Sequence, residues 1–120
     1  MVYIDGFVVP VPAEKRTEYL EMARKGWDLF RKYGALKMVE TLGDNVPEGE
    51  VTDFRRSVLA KEGELVAFSW IVWPDRDTRE AAWAKMMSDP DMAAMSDMPF
   101  DGKRMIYGGF NPIFDSEDLP

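Results

Sequence analysis

The sequence contains neither cysteine nor histidine. Without cysteine there is no disulfide framework, no thiol nucleophile and no thiolate metal site. Without histidine the commonest general base at neutral pH and the commonest transition-metal ligand are missing, so Ser-His-Asp triads and ordinary zinc centres are excluded. We therefore expect no functional metal and no cofactor. Long apolar runs are missing too: none approaches the roughly 20 residues of a membrane span. The opening Met1-Val2-Tyr3-Ile4-Asp5 has no basic stretch ahead of an apolar one, which predicts a cytoplasmic protein rather than a secreted one. Positive charge is scarce, 15 Lys and Arg against 22 Asp and Glu, for a formal charge of -7. That sign repels phosphate backbones and anionic lipid, so neither nucleic acid nor a membrane is an expected partner.

What remains is an ordinary globular composition, 46% hydrophobic and 31% charged. At 120 residues the chain suits a single domain spanning 1–120, with a solvated acidic tail at about 115–120 that carries Asp115, Glu117 and Asp118.

Val2 to Val9 reads as a strand stopped by Pro10 and Pro12. The period then changes. Leu20, Ala23, Trp27, Phe30 and Gly34 recur at spacings of three and four, the stripe of an amphipathic helix reaching Tyr33, with Gly34 at the C-cap. Glu18, Glu21, Lys25, Asp28 and Lys32 fall on the opposite face, where Glu21–Lys25 and Asp28–Lys32 have the favourable i,i+4 orientation. Ala35 to Leu42 predicts a second strand, followed by a polar loop over 44–50. Val51 to Lys61 fits extended chain or a short helix, with extended chain preferred. Glu62-Gly63 marks a tight turn into the apolar strand Leu65–Trp73, closed by Pro74. Asp75 or Asp77 is placed to cap a helix carrying Ala82, Trp83, Met86 and Met87. Asp89-Pro90 breaks that helix and can restart it. A final strand runs from about Lys103 to Ile113.

The order β-α-β-β-α-β is that of a ferredoxin-like α+β domain, a four-stranded antiparallel sheet with two main helices on one face. Between Leu65 and Trp73 only Ser69 is polar, whereas a strand with one wet face alternates. Both faces of that strand must be covered, and the helices cover one. A second copy laid sheet against sheet is the simplest cover for the other, so a homodimer is expected.

Three stretches resemble the YbaA-like family of small uncharacterised bacterial proteins. They are Tyr3-Ile4-Asp5-Gly6-Phe7-Val8-Val9-Pro10-Val11-Pro12, Phe68-Ser69-Trp70-Ile71-Val72, and the specific run from Met98-Pro99-Phe100-Asp101-Gly102 through Lys103-Arg104-Met105-Ile106-Tyr107-Gly108-Gly109-Phe110. The resemblance implies a dimeric α+β barrel in which two ferredoxin-like sheets face each other. It implies no activity and no catalytic residues, because the family carries none that is established.

Among single residues Asp5 stands out, a carboxylate in mid-strand and in phase with Tyr3, Phe7 and Val9. It is a candidate general base or ligand acceptor. A structural ion pair with Arg104 is the commoner arrangement, since the first and last strands are neighbours in this topology. Glu40 raises the same question, and a solvated edge position is expected for it. Tyr107 is a candidate phenolic acid, with a core tyrosine as the default. Trp70 and Trp73 point to opposite faces of one strand. Tyr3, Asp5, Glu40, Trp70 and Arg104 are the candidate ligand-binding residues. Met92, Met95 and Met98 recur every third residue; thioethers suit Cu(I), but adaptable packing is the ordinary use of such a run. Arg55-Arg56 and Lys103-Arg104 are isolated basic pairs expected in salt bridges. The last strand lacks the aromatic spacing of an RNA-recognition domain.

Two functional readings follow. The first is a non-catalytic homodimer holding a small, partly apolar molecule between facing sheets. The second is an enzyme working without cofactor, of oxygenase or isomerase type, with Asp5 as base and Arg104 or Tyr107 steadying an oxyanion. The second rests on analogy with proteins of similar barrel architecture.

Overall fold

Four strands, β1 (Tyr3–Pro12), β2 (Lys37–Leu42), β3 (Glu64–Trp73) and β4 (Ile106–Phe110), form one antiparallel sheet in the order β2-β3-β1-β4. The helices are α1 (Arg16–Lys32), α2 (Phe54–Ser57), α3 (Arg76–Met86) and α4 (Pro90–Ala94). The structure is a computed structural model that describes residues 2–94 and 98–118, without the side chain of Ala94. Met95 of the methionine run lies outside them. Leu29 from α1 and Ala82 and Met86 from α3 pack with Tyr3, Ile71 and Trp73 in one core cluster, so both main helices lie on the same face of the sheet, as the ferredoxin-like order requires. Among the described residues no helix is long and apolar enough to cross a membrane.

β1 does not stop at its prolines. The Ala13 N–H donates to the Gly63 carbonyl at 2.9 Å. By the alternation of a strand, odd-numbered amides of β1 therefore point to β3 and even-numbered ones towards β4. β4 pairs only with Ile4 to Val8. Pro10 and Pro12 thus sit where a missing N–H breaks no ladder bond, the one setting in which a strand tolerates proline.

The expected stripe of α1 holds in part, since Trp27 and Phe30 pack against the core, but the most buried side chains lie further back. Tyr19, Ala23, Gly26 and Leu29 are buried, while Leu20 is 48% exposed. Tyr19 carries its ring into the core because its hydroxyl finds a partner there, the usual condition for burying tyrosine. The Asp28–Lys32 pair is replaced: Asp28 meets Arg31 at 3.7 Å and Lys32 reaches Asp89 at 3.1 Å. At the helix end Gly34 donates to the Arg31 carbonyl and Ala35 to that of Phe30, a Schellman turn with Gly34 at φ +107°.

The segment leading to β3 holds a short helix, α2, where extended chain was preferred. The Asp53 carboxylate caps it, accepting the Arg56 N–H at 2.7 Å and the Gly49 N–H at 3.1 Å. Four residues are too few to show a period in sequence. Asp75 caps α3 through the Thr78 N–H at 2.7 Å, and Asp89 opens α4 by accepting the Asp91 N–H at 2.8 Å. β2 begins at Lys37 rather than Ala35. The last strand is shorter at both ends than expected; its start is delayed because Asp101 turns Gly102–Arg104 into a 3-10 turn.

β3 is apolar on both sides, as read from sequence. Ala67, Ile71 and Trp73 are buried in clusters with the helices. On the other face Ile4, Val8, Phe68, Trp70, Ile106 and Phe110 line an open apolar groove of about 600 Å³. Only its end is covered from within the chain, where Phe54 of α2 meets Phe68 edge-on at 5.9 Å between centroids.

The Schellman turn yields the first prediction. A Cβ on Gly34 would stand 2.9 Å from Thr78 Cγ2, in a backbone conformation costly for any other residue. Gly34→Ala is expected to lower the unfolding free energy by about 1–3 kcal/mol in urea titration. A loss below a few tenths would show that the turn relaxes freely.

A cavity between the sheet and the helices

Strand alternation brings Met38, Glu40 and Leu42 of β2 to the helix side, opposite Ile71, Ser69 and Ala67 of β3. These residues do not close on α1 completely. A cavity of about 230 Å³ remains, walled by β1, β2, β3, α1, α3, α4 and the chain at 98–105. Its lining is apolar and soft. Met22, Met38, Met92, Met98 and Met105 contribute thioethers, while Phe7, Phe30, Trp83 and Phe100 contribute aromatic surface. Methionine fills irregular space and reshapes at little cost, which suits a wall that must adapt to an occupant.

One polar group of consequence enters this space. Glu40 is half-buried, and its Oε1 accepts the Tyr19 hydroxyl at 2.6 Å. The Ser69 side chain stands beside the same pair and lowers the pKa of both groups. Burial holds the Glu40 carboxyl above the usual carboxylate range; the hydroxyls of Tyr19 and Ser69 offset this only in part. Burial, and then the neighbouring Glu40 charge, push the Tyr19 hydroxyl well above its ordinary value. Glu40 therefore favours the neutral form more than an exposed glutamate does. Among the described residues no cluster of three or more acidic side chains is placed to hold a metal ion.

The residues singled out from sequence do not converge. Asp5 is 2% exposed and is spent on structure. It accepts the indole N–H of Trp73 at 2.9 Å, that of Trp83 at 3.0 Å, and the Arg79 guanidinium at 2.7 to 3.1 Å. The expected partner was Arg104, and the two never meet. The 3-10 turn holds Arg104 outside the strand, while Asp5 stands opposite Gly109. Arg104 instead grips Glu64 in a bidentate pair at 2.7 Å and Asp101 at 3.0 Å. Tyr107 is not a core tyrosine; it is 71% exposed on the outermost strand. Tyr3 is buried with its ring lying across Gly109 and beneath Arg79. Trp70 is half-buried on the bare face and borders both the groove and the cavity. Of the expected basic pairs, Arg56 bonds Asp53, whereas Arg55 donates to the carbonyls of Glu64 and Lys61.

Glu40 was expected at a solvated edge and lies inside, because β2, though an edge strand, is roofed by α1. Neither Tyr19 nor Ser69 was among the site residues expected from sequence. Ser69 carried a signal: it is the sole polar residue of β3 and falls on the side of the sheet that Glu40 shares.

Comparison with known proteins agrees with the architecture. The model of a family described as a protein of unknown function (DUF1428) matches residues 2–102. The uncharacterized protein YbaA of Escherichia coli K12 is 57% identical over 116 residues, covering 96% of this chain and 99% of the relative. Among solved structures, a mutant of SnoaB, a cofactor-independent oxygenase from Streptomyces nogalater, superposes with a TM-score of 0.55 at 15% identity, over 96% of this chain and 94% of that one. An uncharacterized NIPSNAP domain protein from Burkholderia xenovorans gives 0.53 at 14% identity, over 92% and 93%. At such identities the likeness is one of fold alone.

The two inward carboxylates predict opposite responses to the same change. Asp5→Asn leaves Arg79 uncompensated and is expected to cost about 3 kcal/mol. For Glu40 the folded value lies above the unfolded one, so the folded state holds the proton more tightly and stability falls as pH rises through the folded value. Glu40→Gln should therefore match or exceed the native stability at neutral pH, and the gain should vanish towards pH 4. Urea titration of both variants across pH 4 to 8 checks this. A Glu40→Gln protein less stable at every pH would make the carboxylate a structural group.

Proposed function

The chain belongs to the DUF1428 family of proteins of unknown function, and we propose that it is a homodimeric small-molecule-binding protein whose ligand occupies the sheet–helix cavity, anchored by Glu40 and Tyr19. The observation that carries this reading is the cavity itself: 230 Å³ of apolar space into which a single carboxyl, held by hydroxyls, presents its oxygens. A packed core of native density leaves no such volume. A mostly apolar hollow with a few convergent polar groups is the usual form of a ligand site.

The ligand thereby moves from the space between two sheets into each protomer. The bare face, lined by Phe68, Trp70, Ile106 and Phe110, is large and apolar, and a second copy of the chain is the occupant that buries it symmetrically. Filled by those rings, the inter-sheet space serves assembly.

The raised Glu40 carboxyl favours a second reading, an enzyme without metal or prosthetic group. Glu40 would then take the proton that sequence reasoning assigned to Asp5, and the Tyr19 hydroxyl would take the part assigned to Arg104 or Tyr107. Asp5, fully engaged by Arg79 and two indoles, has no lone pair to spare for a substrate.

Two measurements test the proposal. With methyl-labelled methionine, millimolar indole is expected to shift the NMR signals of Met22, Met38 and Met105, whereas no shift at saturating indole would mean the cavity is closed. Ala23→Leu, which fills the space from α1, should abolish those shifts while leaving the melting temperature equal or higher, as cavity filling does. Sedimentation at micromolar concentration should give twice the chain mass, and Phe110→Glu the single mass. A native chain that stays monomeric under those conditions overturns the assembly.

A further inference from the structure

Most acidic side chains drawn into this fold are answered by a cation. Asp5 has Arg79 at 2.7 Å, Glu64 has Arg104 at 2.7 Å, Asp53 has Arg56 at 2.9 Å and Asp89 has Lys32 at 3.1 Å. Glu64, Asp53 and Asp89 are accordingly held down at about 2, by Arg104, by the Arg56 amide and guanidinium, and by Tyr33 with the Asp91 amide and Lys32. Glu40 is the exception. Its partner is the hydroxyl of Tyr19 on α1, with the Ser69 hydroxyl of β3 beside it. Among the described residues no Lys or Arg lines the cavity, and those facing it from β1, α3, α4 and the 98–105 chain carry no titratable group. A carboxylate in apolar surroundings without a counter-charge is costly, and what this one lacks is a positive charge.

We propose that the ligand is a lipophilic amine, bound as its ammonium ion with Glu40 as counter-ion. This rests on the reading that the cavity is a binding site. An alkylammonium has three N–H donors and no acceptor, as lysine shows. The cavity offers three acceptors in one place: the Glu40 carboxylate, the Ser69 hydroxyl oxygen and the Tyr19 hydroxyl oxygen. The aromatic rings of Phe7, Trp83 and Phe100 line the same space, and aromatic surface suits a cation better than a carboxylate or phosphate. A chain of formal charge -7 also raises the local concentration of cations. Size narrows the class further. A dry cavity of about 150 Å³ takes benzene, so 230 Å³ fits one aromatic ring with a short amine arm, or a small bicyclic amine.

The pH dependence follows from the groups on the page. Protonation of Glu40 removes the counter-charge, so affinity for the amine falls as pH drops through the Glu40 titration. At the alkaline end it falls again as the ammonium loses its own proton, near pH 10 for an ordinary alkylamine.

Three probes of one shape decide the matter: 2-phenylethylamine, 2-phenylethanol and phenylacetate, titrated calorimetrically and by the methionine methyl signals at pH 7.5. The amine is expected to bind at least tenfold tighter than the alcohol, and phenylacetate more weakly than either. In Glu40→Gln the amine should bind no more tightly than the alcohol does to the same variant. An alcohol that binds as tightly as the amine, or an amine preference that survives Glu40→Gln, overturns the inference while leaving the cavity a binding site. If none of the three moves the methionine signals, the inference and the site fall together.

Discussion

Asp5 ties the two central strands to the second main helix, and much of the interior takes its shape from that node. α3 is poor in apolar anchors; only Ala82 and Met86 are buried along it. Packing alone would fix its rotation weakly. The guanidinium of Arg79, clamped on Asp5 from across the strand, supplies the missing constraint, and charge-assisted forked bonds of this kind are directional as well as strong. The same carboxylate satisfies the indole N–H of Trp73, whose side chain has no contact with solvent. Without it that donor would be orphaned at the centre of the core. Among the described residues no buried side-chain nitrogen or oxygen is left without a partner. By orienting Trp83 against Phe30 at 5.6 Å between centroids, the node also aligns one wall of the cavity.

Asp5 and Glu40 are chemically alike, and their surroundings separate them. Asp5 meets a guanidinium and two indoles, all donors of fixed direction, and has neither freedom nor spare lone pairs. Glu40 meets two hydroxyls, which can donate or accept and can turn. A site that must exchange partners needs groups of the second kind, and a joint that must hold needs the first. Position in the sheet made this division possible. Asp5 lies on a central strand within reach of α3, while Glu40 lies on the outer strand beside the space that α1 leaves unfilled.

The architecture was legible in the sequence because its strongest signals are long. The unbroken apolar run of β3 declared a strand apolar on both faces, and the three-four spacing through α1 declared a helix against a sheet. The finer errors share a cause: sequence periodicity ranks side chains by polarity and does not see partners. Tyr19 counts as ambiguous and Leu20 as apolar, yet the hydroxyl that finds Glu40 carries Tyr19 inward and leaves Leu20 in water. Asp53 caps a helix too short to have a period. Arg104 lies in a turn two residues before β4, and the strand register sets Gly109 opposite Asp5. The candidate site was half visible, in Glu40 alternating with Met38 and Leu42. What sequence could not supply was the roof above it, since a cavity is a property of three elements failing to touch.

Pro10 and Pro12 bear on that roof. A strand lying beside β1 is held by the N–H groups that β1 offers, and past Val8 the even-numbered positions offer none. The ladder runs out of donors there, so the chain that will become β4 has nothing to hold it in the sheet plane before Ile106. It is free to cross to the helix side instead, where Phe100 meets the Tyr19 ring at 5.8 Å and Met105 packs over Val9 and Val11. Two residues that look like terminators of a strand thus act as a selvedge: they finish the fabric on one side and release the thread that closes the pocket.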